Sequence, residues 1–200
     1  MRPLRGLYAI TPADLSRVEP ALASGALCAL QYRAKSTDAA RRQAEARELA
    51  RLCRAHRVPF IVNDDVDLAL AVDADGVHLG REDGDLAAAR TRLPGRLLGA
   101  SCYDSAARAA RAVAAGADYV AFGSMFPSAT KPAAVRAPLS LLALDLGVAK
   151  VAIGGITLAN ARQLLAAGAD CLAVISDLFD APDVAARARD YGRLFEHEDA

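Results

Sequence analysis

Two segments of the chain have almost the same sequence, and this repeat restricts the possible fold more than any other feature. Residues 112–122 read AVAAGADYVAF and residues 164–174 read LLAAGADCLAV, while residues 21–30 and 70–79 are looser copies. Each copy has the pattern of a helix end, then a glycine or an aspartate, then an apolar strand. Glycine readily takes the left-handed conformation that ends many helices, so we expect Gly25, Gly116 and Gly168 to be helix terminators.

Apolar strands alternate with helical patterns along the whole chain. The predicted strands are residues 7–10, 27–32, 60–63, 76–79, 97–101, 118–123, 150–153 and 171–175. The predicted helices are residues 15–23, 37–56, 66–72, 86–93, 105–115, 139–146, 158–167 and 184–195, the second of them capped by Thr37 or Ser36. Continuous apolar strands are typical of a parallel sheet covered on both faces. Eight such short units predict a single (β/α)₈ barrel domain over residues 1–200, and a doubly wound open sheet is the alternative.

Composition narrows the class of function. The 200 residues are 54% hydrophobic with a formal net charge of zero, which gives no sign of a nucleic-acid partner or an anionic membrane. No apolar run has the length of a membrane span, and MRPLRGLY leads into a predicted strand instead of a signal peptide. The four cysteines are scattered and form no C-x-x-C pair. We therefore expect free thiols and a cytoplasmic protein.

Polar side chains are concentrated just after the predicted strands, where a parallel barrel carries its chemistry. The residues at these positions are Gln31, Arg33, Lys35, Asn63, Asp64, Asp83, Ser101, residues 126–131, Gly154, Gly155, Ile175 and Ser176, and the two glycines expose backbone groups instead of polar side chains. Two of the only three lysines among 24 basic residues, Lys35 and Lys131, belong to this set. Carboxylates, cations and backbone-exposing glycines at one edge suit a substrate with several phosphate groups and a divalent metal.

Asp64 and Asp83 follow two neighbouring predicted strands, so their carboxylates should emerge at the same edge of the sheet. Two carboxylates with few other ligands suit Mg²⁺ that is held mostly by water and substrate phosphate. The alternative is that Asp64, Asp65 or Asp83 caps the helix that follows it. His78 lies inside a strand, where a core or supporting role is more expected than a catalytic base.

Together these motifs resemble the thiamine-phosphate synthase family along essentially the whole chain. The matching segments are YAIT (8–11), Q-x-R-x-K (31–35), VNDDVDLA (62–69), G-V-H-L-G-x-x-D (76–83), S-x-T-K (128–131), AIGGI (152–156) and AVIS (173–176). AIGGI occurs in many phosphate-binding barrels and is weak evidence by itself. The spacing of nineteen residues between Asp64 and Asp83 is the specific feature.

The resemblance implies a barrel enzyme that joins hydroxymethylpyrimidine diphosphate to a carboxylated thiazole phosphate, releasing thiamine phosphate, pyrophosphate and CO₂. It implies Mg²⁺ on Asp64 and Asp83, and a homodimer. The substrate-binding residues it implies are Gln31, Tyr32, Arg33, Ala34, Lys35, Asn63, Ser101, Ser128, Ala129, Thr130, Lys131, Gly155, Ile175 and Ser176. Among them, Lys131, Arg33, Lys35 and Ser101 are expected to act in catalysis.

Two departures from the family pattern leave alternatives open. Ala34 stands where the family usually has an acidic residue, and residues 132–149 form a shorter segment than expected. One alternative is a relative that only isomerises the thiazole phosphate, although such relatives typically lack the two acids. The other is a non-catalytic barrel that binds a phosphorylated ligand. Separately, the alternative for Ser128 and Thr130 is that their hydroxyls hydrogen-bond the backbone of a loop flanked by prolines.

Overall fold

The computed structural model describes residues 4–34, 36, 38–127 and 135–196, and its strands form a closed parallel barrel. Each strand pairs with the next in the sequence, and β8 pairs with β1. The strands are β1 Gly6–Ile10, β2 Leu27–Tyr32, β3 Phe60–Asn63, β4 Gly76–Leu79, β5 Leu97–Tyr103, β6 Tyr119–Phe122, β7 Ala149–Ile153 and β8 Cys171–Val174. The predicted barrel is therefore confirmed.

Helices on the outside of the barrel connect most of the strands. They are α1 Val18–Ala23, α2 Ala39–His56, α3 Val66–Ala71, α4 Leu86–Arg92, α5 Ala106–Ala114, α6 Leu158–Ala166, α7 Ser176–Phe179 and α8 Val184–Glu196. Short 3₁₀ helices cover Leu15–Arg17 and Leu139–Leu141. None of the helices in the described ranges is long and apolar enough to cross a membrane.

Two local predictions are wrong. Asp38 caps α2 in place of the predicted Ser36, because its carboxylate accepts a hydrogen bond from the Arg41 N–H. Thr37, the other predicted cap, lies outside the described residues. The helix predicted at residues 139–146 is only the 3₁₀ helix Leu139–Leu141. The amides of residues 141 to 144 bond to carbonyls three residues back, so the four-residue ladder of an α-helix does not form. The hydrophobic pattern of the sequence also gave no indication of α7, which is separated from the end of β8 by one residue.

The barrel interior and the layer under the helices are two separate apolar clusters. The interior cluster includes Tyr8, Ile61, Tyr119 and many small side chains, whereas the larger outer cluster lies between strands and helices. Gly99 makes room for the ring of Tyr119, because a Cβ atom at this position would lie 2.1 Å from the ring. Glycine inside a strand is a known sign of such a close approach.

The repeated segments perform a common structural task at the amino-terminal ends of the strands. The carboxylates of Asp75, Asp118 and Asp170 accept the N–H of Phe60, Leu98 and Lys150 at 2.8, 2.7 and 2.8 Å. Each aspartate also donates its own N–H to the carbonyl of the same strand residue, so neighbouring strands are joined twice.

The predicted helix terminators are confirmed. Gly25, Gly116 and Gly168 have φ angles of +73°, +92° and +101°. Asp73 takes the corresponding place before β4 with φ of +54°. The repeat is therefore the sequence signature of a helix that ends at a residue in the left-handed conformation and is followed by the start of a strand.

Replacing Asp118 with alanine should destabilise the barrel. The change leaves the Leu98 N–H without its acceptor and breaks the 2.9 Å ion pair with Arg90. We expect a loss of about 1–3 kcal/mol in the free energy of unfolding, measured by urea denaturation. Asp104→Ala, at an exposed aspartate, is the control and should change stability by less than about 0.5 kcal/mol. Equal effects of the two variants would contradict the structural role.

Candidate active site

Asp64 and Asp83 meet at the carboxyl-terminal edge of the barrel. Their carboxyl groups are close enough to share a hydrogen bond, and the Asn63 side-chain amide donates to Asp64 Oδ2. Asp83 is held by the Gly80 N–H, which donates to its Oδ2 at 2.8 Å. A groove of about 420 Å³ runs beside the pair. The edge predicted from the sequence thus brings both carboxylates together.

Neither carboxylate caps a helix. Asp65 caps α3 by accepting the Leu68 N–H, and Asp85 caps α4 by accepting the Ala88 N–H. The capping alternative is therefore wrong for Asp64 and Asp83 and correct for Asp65. Asp64 has a left-handed φ of +66°, an uncommon conformation that is concentrated at functional sites.

The two carboxyl groups repel each other when both are ionised. Partial desolvation and the neighbouring Asp83 raise the pKa of Asp64 to about 6, although Arg33 and Asn63 act in the opposite direction. A divalent cation would relieve this repulsion. Among the described residues, no group of three or more acidic, histidine or cysteine side chains could form an all-protein cage. Two hard oxygen donors beside a groove fit Mg²⁺ that keeps water or substrate as its remaining ligands.

The predicted site residues at the end of β2 lie in different environments. Gln31 is buried in the barrel interior, where its Nε2 donates to the Tyr8 hydroxyl at 3.0 Å. Arg33 is exposed at the rim, and its N–H donates to the Thr11 hydroxyl. Tyr32 faces α2 and donates to Glu45 at 2.7 Å, so its side chain points away from the interior. Ala34 lines the groove beside the carboxylates.

Ser101 lies within β5, two residues before the strand ends at Tyr103, and is held at two points. Its hydroxyl oxygen is 2.9 Å from His78 Nε2, and its carbonyl accepts the Arg108 Nε–H at 2.7 Å. His78 is buried, and burial lowers its pKa to about 4, so the imidazole is neutral at physiological pH. His78 is thus a core residue that supports Ser101, as its position in a strand predicts.

The loops after β6, β7 and β8 form the opposite part of the rim. Gly154 and Gly155 have φ angles of +102° and +65°, and a Cβ atom on either would lie 2.3 Å from the loop after β6. Ile175 precedes α7, and Ser176 is exposed at the first residue of that helix. Five predicted site residues lie outside the described residues: Lys35, Ser128, Ala129, Thr130 and Lys131.

Three residues close to the predicted set were missed. Tyr8 and Tyr119 are fully buried in the barrel, with their hydroxyl oxygens 2.9 Å apart, and Thr11 is a buried hydroxyl beside Arg33. Tyrosine inside an apolar strand is a usable signal, because a buried hydroxyl requires a hydrogen-bond partner. Gly99 within a strand is the second signal.

A closed parallel barrel with paired carboxylates and a double-glycine turn at the carboxyl ends of its strands is the arrangement of many barrel enzymes that act on phosphorylated substrates. The chain belongs to the thiamine monophosphate synthase family, whose model matches residues 7–178. It is a transferase of thiamine biosynthesis.

Curated relatives match the chain over nearly its full length. The thiamine-phosphate synthase of Aromatoleum aromaticum is 61% identical over 96% of this chain and 97% of its own. That of Chromobacterium violaceum is 58% identical over 93% of this chain and 94% of its own. A solved structure of thiamine phosphate pyrophosphorylase from Pyrococcus furiosus has a TM-score of 0.87 at 36% identity, covering 98% of this chain and 97% of that one.

Without metal, the contribution of Asp64 to wild-type stability should fall as pH rises from about 4 to about 6. In this range the folded protein retains the Asp64 proton that the unfolded chain has lost, because the pKa of Asp64 is raised from 3.8 to about 6. Asp64→Asn removes the group that titrates. The free energy of unfolding of this variant, relative to that of the wild type, should therefore increase through the same pH range. Chemical denaturation at several pH values in chelator measures both. A pH-independent difference would contradict the shared proton, and Mg²⁺ should stabilise wild type at pH 7.

Proposed function

We propose that the chain joins hydroxymethylpyrimidine diphosphate to a carboxylated thiazole phosphate and releases thiamine phosphate, pyrophosphate and CO₂. The observation that carries this proposal is the Asp64–Asp83 pair at the carboxyl edge of the barrel of a chain from this family. An electron-rich aminopyrimidine can stabilise the cation left on its methylene carbon. The protein therefore needs no nucleophile, and its task is to stabilise the departing anion.

Pyrophosphate carries a large negative charge as it leaves, so preorganised cations lower the barrier. Arg33 lies at the rim close enough to Asp64 to lower that residue's pKa, which places a guanidinium beside the carboxylate pair. We assign the diphosphate to Arg33, Lys35, Lys131 and Ser101. Mg²⁺ held by Asp64 and Asp83 would supply further positive charge to the diphosphate oxygens.

The pyrimidine is assigned to Gln31 and Asn63. Gln31 presents a neutral amide in the buried interior, and Asn63 lies beside Asp64 at the rim. A neutral amide can both donate to and accept from an aminopyrimidine ring. Tyr32 and Ala34 belong to the same edge, and the outward side chain of Tyr32 leaves its backbone for any ligand contact.

The thiazole phosphate is assigned to the opposite part of the same rim, which is formed by the loops after β6, β7 and β8. Left-handed Gly154 and Gly155 and the first residue of α7 supply backbone groups of the kind that hold phosphate in many barrels. The proposed ligands are Gly155, Ile175 and Ser176, together with Ser128, Ala129 and Thr130. We further propose that the enzyme is a single barrel domain that works in the cytoplasm, and the homodimer stays a prediction.

Product formation with and without metal tests the reaction. Purified protein is mixed with both substrates in Mg²⁺ or in chelator, and thiamine phosphate is quantified. We expect product with Mg²⁺ and a loss of at least about a hundredfold with chelator. A folded protein that binds both substrates without turnover would instead be a non-catalytic barrel.

Asp64→Ala and Asp83→Ala should each reduce turnover by roughly a hundredfold or more, because each removes part of the charge stabilisation of the leaving group. Both variants should remain folded, since other aspartates cap α3 and α4. Asp67→Ala is the matched control: Asp67 lies in α3, pairs with Arg92 and should leave turnover within about twofold. Unfolding of the Asp64 or Asp83 variant in circular dichroism would point to a structural role.

Lys131→Ala should affect the chemical step more than substrate binding. The lysine is proposed to face the charge that grows on the departing pyrophosphate, so the single-turnover rate should fall by roughly a hundredfold. The Kd for the diphosphate should change by less than about tenfold. An unchanged single-turnover rate would remove Lys131 from the catalytic set.

A further inference from the structure

A continuous chain of hydrogen bonds crosses the barrel interior. Gln31 Nε2 lies 3.0 Å from the Tyr8 hydroxyl, which lies 2.9 Å from the Tyr119 hydroxyl. The Tyr119 hydroxyl lies 3.2 Å from His78 Nδ1, and His78 Nε2 lies 2.9 Å from Ser101 Oγ. The five residues come from β2, β1, β6, β4 and β5, so the chain joins two parts of the rim through the core.

The donors in this chain can be assigned from one end. An amide nitrogen only donates, so the Tyr8 oxygen accepts from Gln31 and the single Tyr8 proton goes to Tyr119. The Tyr119 proton then goes to His78 Nδ1. A neutral imidazole that accepts at Nδ1 carries its proton at Nε2 and donates it to Ser101. Two protons are left without an acceptor inside this series of hydrogen bonds: the Ser101 hydroxyl proton and the second proton on Gln31 Nε2.

We propose that Tyr8, Tyr119 and His78 are positioning residues whose hydrogen-bond direction holds Ser101 as a donor and Gln31 as an acceptor toward the substrate. Ser101 then points an O–H at an anionic diphosphate oxygen, and Gln31 keeps its carbonyl oxygen for an amino group of the pyrimidine. The inference rests on the proposed assignment of these two residues to the pyrimidine diphosphate.

The opposite direction would be unfavourable for this ligand. Turning the Gln31 amide around would reverse all four bonds, and Ser101 would then donate to His78 and present only lone pairs to the diphosphate. The chain is also isolated from solvent, because Tyr8, Tyr119 and His78 are buried. Burial raises the pKa of both tyrosines and lowers that of His78, so all three stay neutral at physiological pH.

Packing fixes the geometry of the chain. Tyr119 stands over Gly99, two residues before Ser101 on β5, and a Cβ atom at Gly99 would overlap the tyrosine ring. The His78 ring stacks on Tyr119 with centroids 5.6 Å apart and planes tilted by 26°. Both rings are thus held in place by contacts other than the hydrogen bonds themselves, so removing one hydroxyl need not displace a ring.

The tautomer of His78 gives a test that requires no turnover. Nitrogen-15 NMR of the full-length wild-type protein should show the proton on Nε2, and a proton on Nδ1 would overturn the proposal. Tyr119→Phe keeps the ring but removes the proton that selects this tautomer, so both tautomers should then be populated. Tyr8→Phe is the second variant, and it should disturb the tautomer less because the Tyr119 hydroxyl remains.

Kinetics test whether the hydrogen-bond chain acts through Ser101. Tyr119→Phe should lower kcat by roughly tenfold, the scale of one lost hydrogen bond. The Ser101→Ala/Tyr119→Phe double variant should be within about twofold of Ser101→Ala alone, because the two changes interrupt one chain.

Tyr191→Phe removes another buried tyrosine hydroxyl, which donates to Asp177 on the outside of the barrel. It is the control and should lower Tm while leaving kcat within about twofold. If Tyr119→Phe likewise changes only Tm, the chain merely satisfies buried polar groups and the proposal fails. A protein that makes no thiamine phosphate yet shows the expected tautomer would contradict the proposed function and leave the hydrogen-bond direction intact.

Discussion

The pairing of β1 with β8 is the constraint on which the rest of the structure depends. It closes the sheet, so that no strand of the barrel is left as an unpaired edge and all strands end at one rim. Closure brings residues from distant parts of the chain together at that rim. The aspartates of the repeat support closure from the other end of the strands, where each joins two neighbouring strands through its side chain and its backbone.

Closure also decides what the interior must contain. An eight-stranded barrel is filled by side chains, and any polar group inside it must find a partner among the others. Gln31, Tyr8, Tyr119, His78 and Ser101 meet this requirement by bonding to one another, while small and apolar residues fill the remaining space. The residues that satisfy the interior therefore also end in two polar groups, Gln31 and Ser101, toward the carboxyl-terminal rim of the barrel.

At the rim, two features of the Asp64 and Asp83 pair lower the stability of the folded protein. The barrel places the Asp64 and Asp83 carboxyl groups side by side and holds Asp64 in a left-handed conformation, and both features are unfavourable in the protein alone. A cation bound between the two carboxylates would remove the repulsion, which agrees with the Mg²⁺ site proposed above. The neighbouring Asp65 and Asp85 perform the capping work, which leaves the other two carboxylates available.

The sequence by itself determined the alternation of strands and helices, the left-handed glycines and the place of Asp64 and Asp83 at the strand ends. These features depend on local periodicity and on the backbone preferences of single residues. Only the tertiary structure decided which aspartates cap helices, that residues 139–146 form no α-helix, and that two tyrosines and a histidine link Gln31 to Ser101. The link between Gln31 and Ser101 depends on contacts between residues far apart in the chain, which come together only when the barrel closes. The caps and the 3₁₀ turn are bonds across three residues, and the sequence offers several aspartates and several turn geometries that local preferences do not separate.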